Sequence, residues 1–232
     1  FCATVPPIGM LLTELTRGRA EIVTLVTGAA SPHTFEPRPS DARASSDALA
    51  LYYVAEGLDA WAATLPAPQK VALLDLVPKE KLLPGEPGDA IHVETGGPEH
   101  DHGEHDPHFW SDPQLVKAML PALAASLAQY DPEGKAAYEK NAQDFAGRLD
   151  SLDAALAQEL APLRNRPVIT FHLSLQYFLR HYGLKLAAVV EPSPGKEATP
   201  RYIQDVIAAV KTTGAKAVFR EPQLPQRPAE AV

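Results

Sequence analysis

Three of the eight histidines occupy positions from which they could bind a metal ion. His33 comes after a predicted strand that ends at Val26, and His172 directly follows a predicted strand that ends at Phe171. His108 lies between a polar stretch and a predicted helix. Loops at the carboxyl ends of parallel strands line the crevice where ligands collect, so we expect the three side chains to converge. Three imidazole nitrogens favour Zn²⁺, which binds nitrogen ligands in tetrahedral geometry.

Taken singly, a histidine at a strand end is more often a surface or capping residue than a ligand, and that interpretation stays open for each of the three. If they do bind metal, we expect each ring to donate its other nitrogen to a nearby acceptor. His181 lies on the predicted helix that follows His172, nine positions later, and this spacing of 2.5 turns points it to the opposite face. We therefore interpret His181 as structural.

Four further histidines belong to a polar stretch at about 78–107, which is predicted to be a long surface loop. They alternate with acidic residues, and they are His92, His100, His102 and His105. Such a segment could bind Zn²⁺ weakly, exchange it rapidly and so collect metal. A solvated polar loop without a role is the alternative.

Catalytic and nucleic-acid functions have little support. The motifs G-x-S-x-G and H-E-x-x-H do not occur, and the single cysteine, Cys2, provides no thiolate pair. A net charge of −8 argues against a nucleic-acid partner. No apolar run approaches the roughly 20 residues of a spanning helix, and we expect any signal peptide to have been removed already.

The elements that must position the histidines follow an α/β pattern. Four strands are predicted within residues 1–74 at 1–5, 20–26, 49–54 and 71–74, and the helices between them imply a parallel sheet. Three more are predicted at 168–171, 186–190 and 217–219. Between the two groups, apolar residues at intervals of three, four and seven predict a long amphipathic helix over 132–163. We expect lobes at 1–131 and 164–232, the second incomplete, joined by this helix.

Four segments resemble a known family: PHTFEPRPSD at 32–41, DPHFWSDP at 106–113, TFHLSLQYFLRHYGL at 170–184 and EPSPGKEATP at 191–200. The chain is similar to the ZnuA/TroA-like (cluster A-I) metal-binding proteins of ABC transporters, and most similar to their zinc-specific ZnuA/AztC branch. Together the segments span nearly the whole chain.

The resemblance implies two α/β lobes with parallel sheets, joined by a single long rigid helix, and a metal ion in the cleft between them. It assigns the ligand roles to His33, His108 and His172, and it implies that the segment at 92–105 collects or senses metal. Manganese-type members usually carry Glu at the third position, so His172 favours Zn(II). Members usually add a carboxylate or a water as fourth ligand, for which Glu221 is a possible but unfavoured candidate.

The resemblance also implies the setting of the protein. We expect a periplasmic monomer that delivers zinc to a cognate ABC permease, with a periplasmic zinc metallochaperone as a further partner. The alternatives are binding of manganese or another divalent metal, a zinc-dependent hydrolase, and an adhesin-type surface protein.

Overall fold

The structure, a computed structural model, describes residues 1–28, 30–85, 104–192, 195, 198–224, 229–230 and 232. Its first sheet has four parallel strands in the order β2-β1-β3-β4. These are β1 (Cys2–Ala3), β2 (Val23–Thr24), β3 (Leu51–Tyr53) and β4 (Lys70–Ala72). The predicted parallel sheet is confirmed, but the strands are shorter than predicted. Residues just beyond them, such as Leu25 and Val26, still donate backbone N–H groups to Ala3 and Thr4 of the neighbouring segment.

Four helices accompany this sheet: α1 (Pro6–Thr16), α2 (Pro39–Asp47), α3 (Glu56–Asp59) and α4 (Pro113–Tyr130). Proline opens α1, α2 and α4, where its missing N–H costs nothing. Ser40 and Asp41 are residue types typical of an N-cap, but both lie inside the first turn of α2. The helix begins at Pro39, and the Asp41 carboxylate reaches back to accept the Arg38 backbone N–H at 2.7 Å.

The long helix α5 (Lys135–Leu160) confirms the prediction, with single 3₁₀ turns extending it at both ends. Its apolar stripe serves two cores. Tyr138 and Leu149 are buried in the first core, whereas Leu156 packs against the second. Leu152 continues the apolar spacing of the helix, yet it is 48% exposed because it lies where the helix passes from one core to the other.

The second sheet has three parallel strands in the order β6-β5-β7 among the described residues. It comprises β5 (Pro167–Thr170), β6 (Lys185–Val189) and β7 (Val218–Phe219), with helices α6 (Gln176–Tyr182) and α7 (Pro200–Thr213). The Thr199 hydroxyl caps α7 by accepting the Tyr202 N–H at 3.2 Å, and Gly214 ends that helix at φ 70°. A separate apolar core covers this sheet.

The fold is therefore α/β, with two parallel sheets and one long helix that packs against apolar clusters beside each of them. Among the described residues, no helix is long and apolar enough to cross a membrane. Most of the predicted loop at 78–107, with His92, His100 and His102, lies outside the described residues.

Candidate metal centre

His33 lies on a short 3₁₀ turn, Pro32–Thr34, after the first sheet's edge strand. Trp61 stabilises the turn, since its ring N–H donates a hydrogen bond to the Pro32 carbonyl at 2.9 Å. The Trp61 ring also packs against Phe35, with ring centroids 4.8 Å apart. The backbone on both sides of His33 is therefore anchored to the N-terminal core.

His108 follows the polar loop and is 3% exposed. Its Nδ1 lies 2.8 Å from an oxygen of Asp106, which also accepts the His108 backbone N–H at 2.9 Å. Asp106 itself is 1% exposed. A buried carboxylate thus fixes both the backbone and the ring of His108.

His172 directly follows β5 and is 4% exposed. Glu221 comes just after β7, which pairs with β5 in parallel, so both residues lie at the same edge of the second sheet. The Nδ1 atom of His172 is 2.9 Å from Glu221 Oε1, with the ring tilted from ideal hydrogen-bond alignment. Ser174 donates its hydroxyl to the same carboxylate oxygen.

The three histidines predicted as ligands come together from three separate parts of the chain. Their centroids are 5.5 Å apart for His33 and His108, 5.4 Å for His33 and His172, and 5.2 Å for His108 and His172. One nitrogen from each ring lies within 4.8 Å of the other two. Nitrogens bound to a tetrahedral zinc ion at 2.0–2.1 Å are about 3.4 Å apart, so small side-chain movements would complete such a site.

Sequence reasoning missed the role of Asp106 and named Glu221 only as an unfavoured fourth ligand. Among the described residues, the group whose donor atoms lie within 4.8 Å of one another contains the three histidines and no carboxylate. Burial acts to raise the pKa of Glu221, but contacts with His172 and Ser174 outweigh it and lower the pKa below its ordinary value. Asp106 lies two residues before His108, and Glu221 lies two residues after the end of β7. These positions were the only sequence signal for their roles.

The ends of the polar loop are fastened beside His108. Asp106 donates its backbone N–H to the Leu83 carbonyl at 2.9 Å, and His105 forms an isolated antiparallel bridge with Pro84. From α6, the Tyr177 hydroxyl donates to the Asp106 carbonyl at 2.8 Å and accepts the Leu83 N–H at 3.1 Å. His105 is thus part of the loop's base, and the metal-collecting role remains a prediction.

His181 lies outside the cluster, as the helical spacing predicts. Its Nδ1 is 3.2 Å from Asp112 and its Nε2 is 2.7 Å from Asp153. Asp112 caps α4 and Asp153 belongs to α5, so this histidine connects three helices. A structural role accounts for these contacts.

Comparisons with known proteins agree with this arrangement. The family described as "Zinc-uptake complex component A periplasmic" (ZnuA) matches residues 2–232. The high-affinity zinc uptake system protein ZnuA of Brucella abortus (strain 2308) is 32% identical, over 95% of this chain and 75% of its own length. A crystal structure of ZnuA superposes with a TM-score of 0.81 at 29% identity, covering 99% of this chain and 84% of that one.

A structure of the laminin-binding adhesin Lmb from Streptococcus agalactiae, at 24% identity, shares the fold with a TM-score of 0.82 and covers 99% of this chain and 83% of that one. The family match extends over nearly the whole chain, and the three histidines that carried the resemblance in sequence meet in space. The chain therefore belongs to the ZnuA family of zinc-uptake components.

Proposed function

We propose that this protein captures one Zn²⁺ ion with His33, His108 and His172 and delivers it to the membrane permease of an ABC transporter. The observation that carries the proposal is the convergence of three imidazoles, two of them almost fully buried, from separate segments of the chain. Membership of the ZnuA family supports the transport role and disfavours the zinc-hydrolase alternative.

Zinc is favoured over manganese by the donor atoms. Imidazole nitrogen suits Zn²⁺, whereas Mn²⁺ is better matched by carboxylate, carbonyl and water oxygens. The group of converging donors among the described residues consists of nitrogens alone. A manganese ABC transporter substrate-binding lipoprotein, PsaA of Streptococcus anginosus, is also similar at 25% identity, so manganese is the competitor that an experiment must include.

The setting of the protein is part of the same proposal. We place it in the periplasm as a monomer that receives zinc in part from a metallochaperone, with the segment at 92–105 collecting metal. Residues 1–131 and 164–232 would act as the two lobes, with 132–163 as the rigid connection. The division is supported by the two separate sheets and by the contribution of α5 to both cores.

The test is zinc binding by single alanine variants of the three histidines, measured by competition with a chromophoric chelator. We expect one tight site in the unchanged protein and a loss of affinity of at least about 100-fold in each variant, because each variant loses one of the three nitrogen donors that hold the ion. Mn²⁺ should bind far more weakly. Trp110, whose ring lies 5.5 Å from that of His108, offers fluorescence as a second readout.

His181→Ala is the matched control, since it removes a histidine that is outside the cluster. It should retain one tight zinc ion per chain. Tight one-to-one binding in any of the three ligand variants would show that the site is elsewhere. Binding of laminin by the zinc-loaded protein would instead favour the adhesin alternative.

A further inference from the structure

Two of the three imidazoles have a carboxylate beside Nδ1, which leaves Nε2 as the nitrogen available to a bound ion. Asp106 lies 2.8 Å from Nδ1 of His108, and Glu221 lies 2.9 Å from Nδ1 of His172. Both contacts are sheltered from water, since the side chain of Asp106 is 1% exposed and that of Glu221 is 20% exposed. The two arrangements arise independently, one from a two-residue spacing and the other from neighbouring parallel strands.

The contacts determine which ring nitrogen carries the proton. An ionised carboxylate only accepts hydrogen bonds, so the nitrogen beside it must be the donor. With the proton on Nδ1, the lone pair of Nε2 is available to a metal ion. A free imidazole in water prefers the opposite tautomer, in which Nε2 is protonated and cannot bind a metal. The His172 ring is not aligned for a hydrogen bond to Glu221 in the present geometry. A rotation about χ2, a soft torsion, would bring Nδ1–H into line with Oε1.

The carboxylates also bear on charge. Three neutral imidazoles leave the two positive charges of zinc uncompensated, and burying an uncompensated charge is costly. Asp106 and Glu221 carry two negative charges, each one imidazole ring removed from the proposed ion. Such partners raise the basicity of the ligand rings as well as orienting them.

Direct ligation by Glu221 is the competing interpretation. Against it, the group of converging donor atoms among the described residues contains no carboxylate. Glu221 Oε1 lies 2.9 Å from Nδ1 of His172 and accepts the hydroxyl of Ser174, so this oxygen is already occupied. The other oxygen, Oε2, is buried without a hydrogen-bond partner among the described residues, so direct ligation needs a test by Co²⁺ absorption.

We infer that Asp106 and Glu221 are positioning residues that hold His108 and His172 with the proton on Nδ1 and supply the charge that compensates zinc. The inference deepens the proposed function and rests on it for the identity of the ion. Glu221 is the sharper of the two to test, because Asp106 also accepts the His108 backbone N–H and the Gln176 side-chain amide.

The first experiment reads the tautomers in metal-free protein, by long-range ¹H–¹⁵N correlation spectra of ¹⁵N-labelled histidine. We expect the Nδ1–H form for His172 in the unchanged protein and a shift toward the Nε2–H form in Glu221→Ala, with His108 unaffected. Asp106→Ala should change His108 and not His172. Glu139→Gln, an exposed change on α5, should alter neither ring.

The second experiment measures zinc affinity by chelator competition. Glu221→Ala should weaken binding by about 10- to 100-fold, as loss of such outer partners typically does. Glu221→Gln keeps an oxygen that can accept from Nδ1 but removes the charge, so it should fall between Glu221→Ala and the unchanged protein. Co²⁺ bound to Glu221→Ala should keep its tetrahedral absorption bands.

The inference is overturned if His172 already has the Nε2–H form in the unchanged protein, or if Glu221→Ala binds zinc within threefold of it. Altered Co²⁺ bands in Glu221→Ala would make Glu221 a ligand and overturn the inference as well. Because the tautomers are read without metal, they remain decisive even if the unchanged protein bound no zinc, which would refute the proposed function separately.

Discussion

At the scale of the residue, the site depends on the residues that contact each ligand side chain as much as on the ligands themselves. His172 is identical in type to His181, nine residues later, yet their surroundings differ. His172 is 4% exposed beside one carboxylate, whereas His181 is partly exposed between two. Residue type alone does not distinguish a ligand from a helix connector, whereas the neighbours do.

Exchanging the third histidine for a carboxylate tests this dependence. His172→Glu removes a nitrogen donor and would bring a second carboxylate to within contact of Glu221, where like charges repel. We expect zinc affinity to fall by at least about tenfold and Mn²⁺ to compete better, because oxygen donors suit manganese. Competitive binding of the two metals measures both effects.

The repulsion between the carboxylates at positions 172 and 221 can be measured with a double variant that combines His172→Glu and Glu221→Gln. We expect the second change to restore about 1 kcal/mol or more to the free energy of unfolding of the metal-free single variant, the range expected for contacting residues. Urea unfolding of the unchanged protein, both single variants and the double variant gives this coupling. A coupling of zero would mean that the residue at 172 does not face Glu221.

At the scale of the element, short strands need help from side chains to stay in register. Asp59, at the end of α3, is fully buried and accepts the Thr4 hydroxyl at 2.5 Å and the backbone N–H groups of Val54 and Ala55 at 2.9 and 3.0 Å. It thereby ties the residue after β1 to the residues after β3. Burial outweighs these hydrogen bonds and raises the pKa of Asp59.

Replacing Asp59 by Ala should destabilise the first sheet. The change leaves one buried and one part-buried backbone N–H group and a buried hydroxyl without their acceptor, and we expect the free energy of unfolding to fall by about 3 kcal/mol. Urea unfolding of the metal-free protein measures the loss. Asp47→Ala, at an exposed position in α2, should change it by less than about 0.5 kcal/mol. Equal effects would contradict the anchoring role.

At the scale of the whole molecule, α5 and a polar junction link the two cores. Asp153 on α5 accepts the Tyr182 hydroxyl at 2.9 Å and the Gln114 side-chain amide at 2.9 Å, and it pairs with His181 at 2.7 Å. The junction thus joins α4, α5 and α6. Burial acts to raise the pKa of Asp153, but the hydrogen bonds from Tyr182, His181 and Gln114 together lower it.

The lowered pKa predicts a pH dependence of stability. Because the folded protein holds the Asp153 carboxylate ionised to lower pH than the unfolded chain does, its contribution is complete above about pH 4 and is lost as the pH falls further. Asp153→Asn should lower the free energy of unfolding by about 2 kcal/mol at pH 7. The difference from the unchanged protein should narrow toward pH 3.

Urea unfolding at several pH values measures this difference. Asp75→Asn, an exposed change near β4, is the control and should be close to neutral throughout. A penalty for Asp153→Asn that is the same at pH 3 and pH 7 would show that shape, rather than charge, matters at this junction.

Local patterns in the sequence were sufficient to predict the class of fold, the order of the elements, the long helix and the three converging histidines. Hydrophobic periodicity and proline at helix starts are local properties, and strand-end positions in a parallel sheet follow from them. The boundaries were less predictable. The apolar run around β2 suggested seven residues, but only Val23–Thr24 pairs as a strand, because pairing depends on the neighbouring strand.

Only the tertiary structure decided how the histidines are supported. That Glu221 lies behind His172 follows from the pairing of β5 with β7, strands separated by about 50 residues of chain. That Leu152 is exposed follows from the passage of α5 between two cores. Residue types and spacing determine which side chains can bind a metal ion, but contacts between distant segments determine their protonation, charge and orientation.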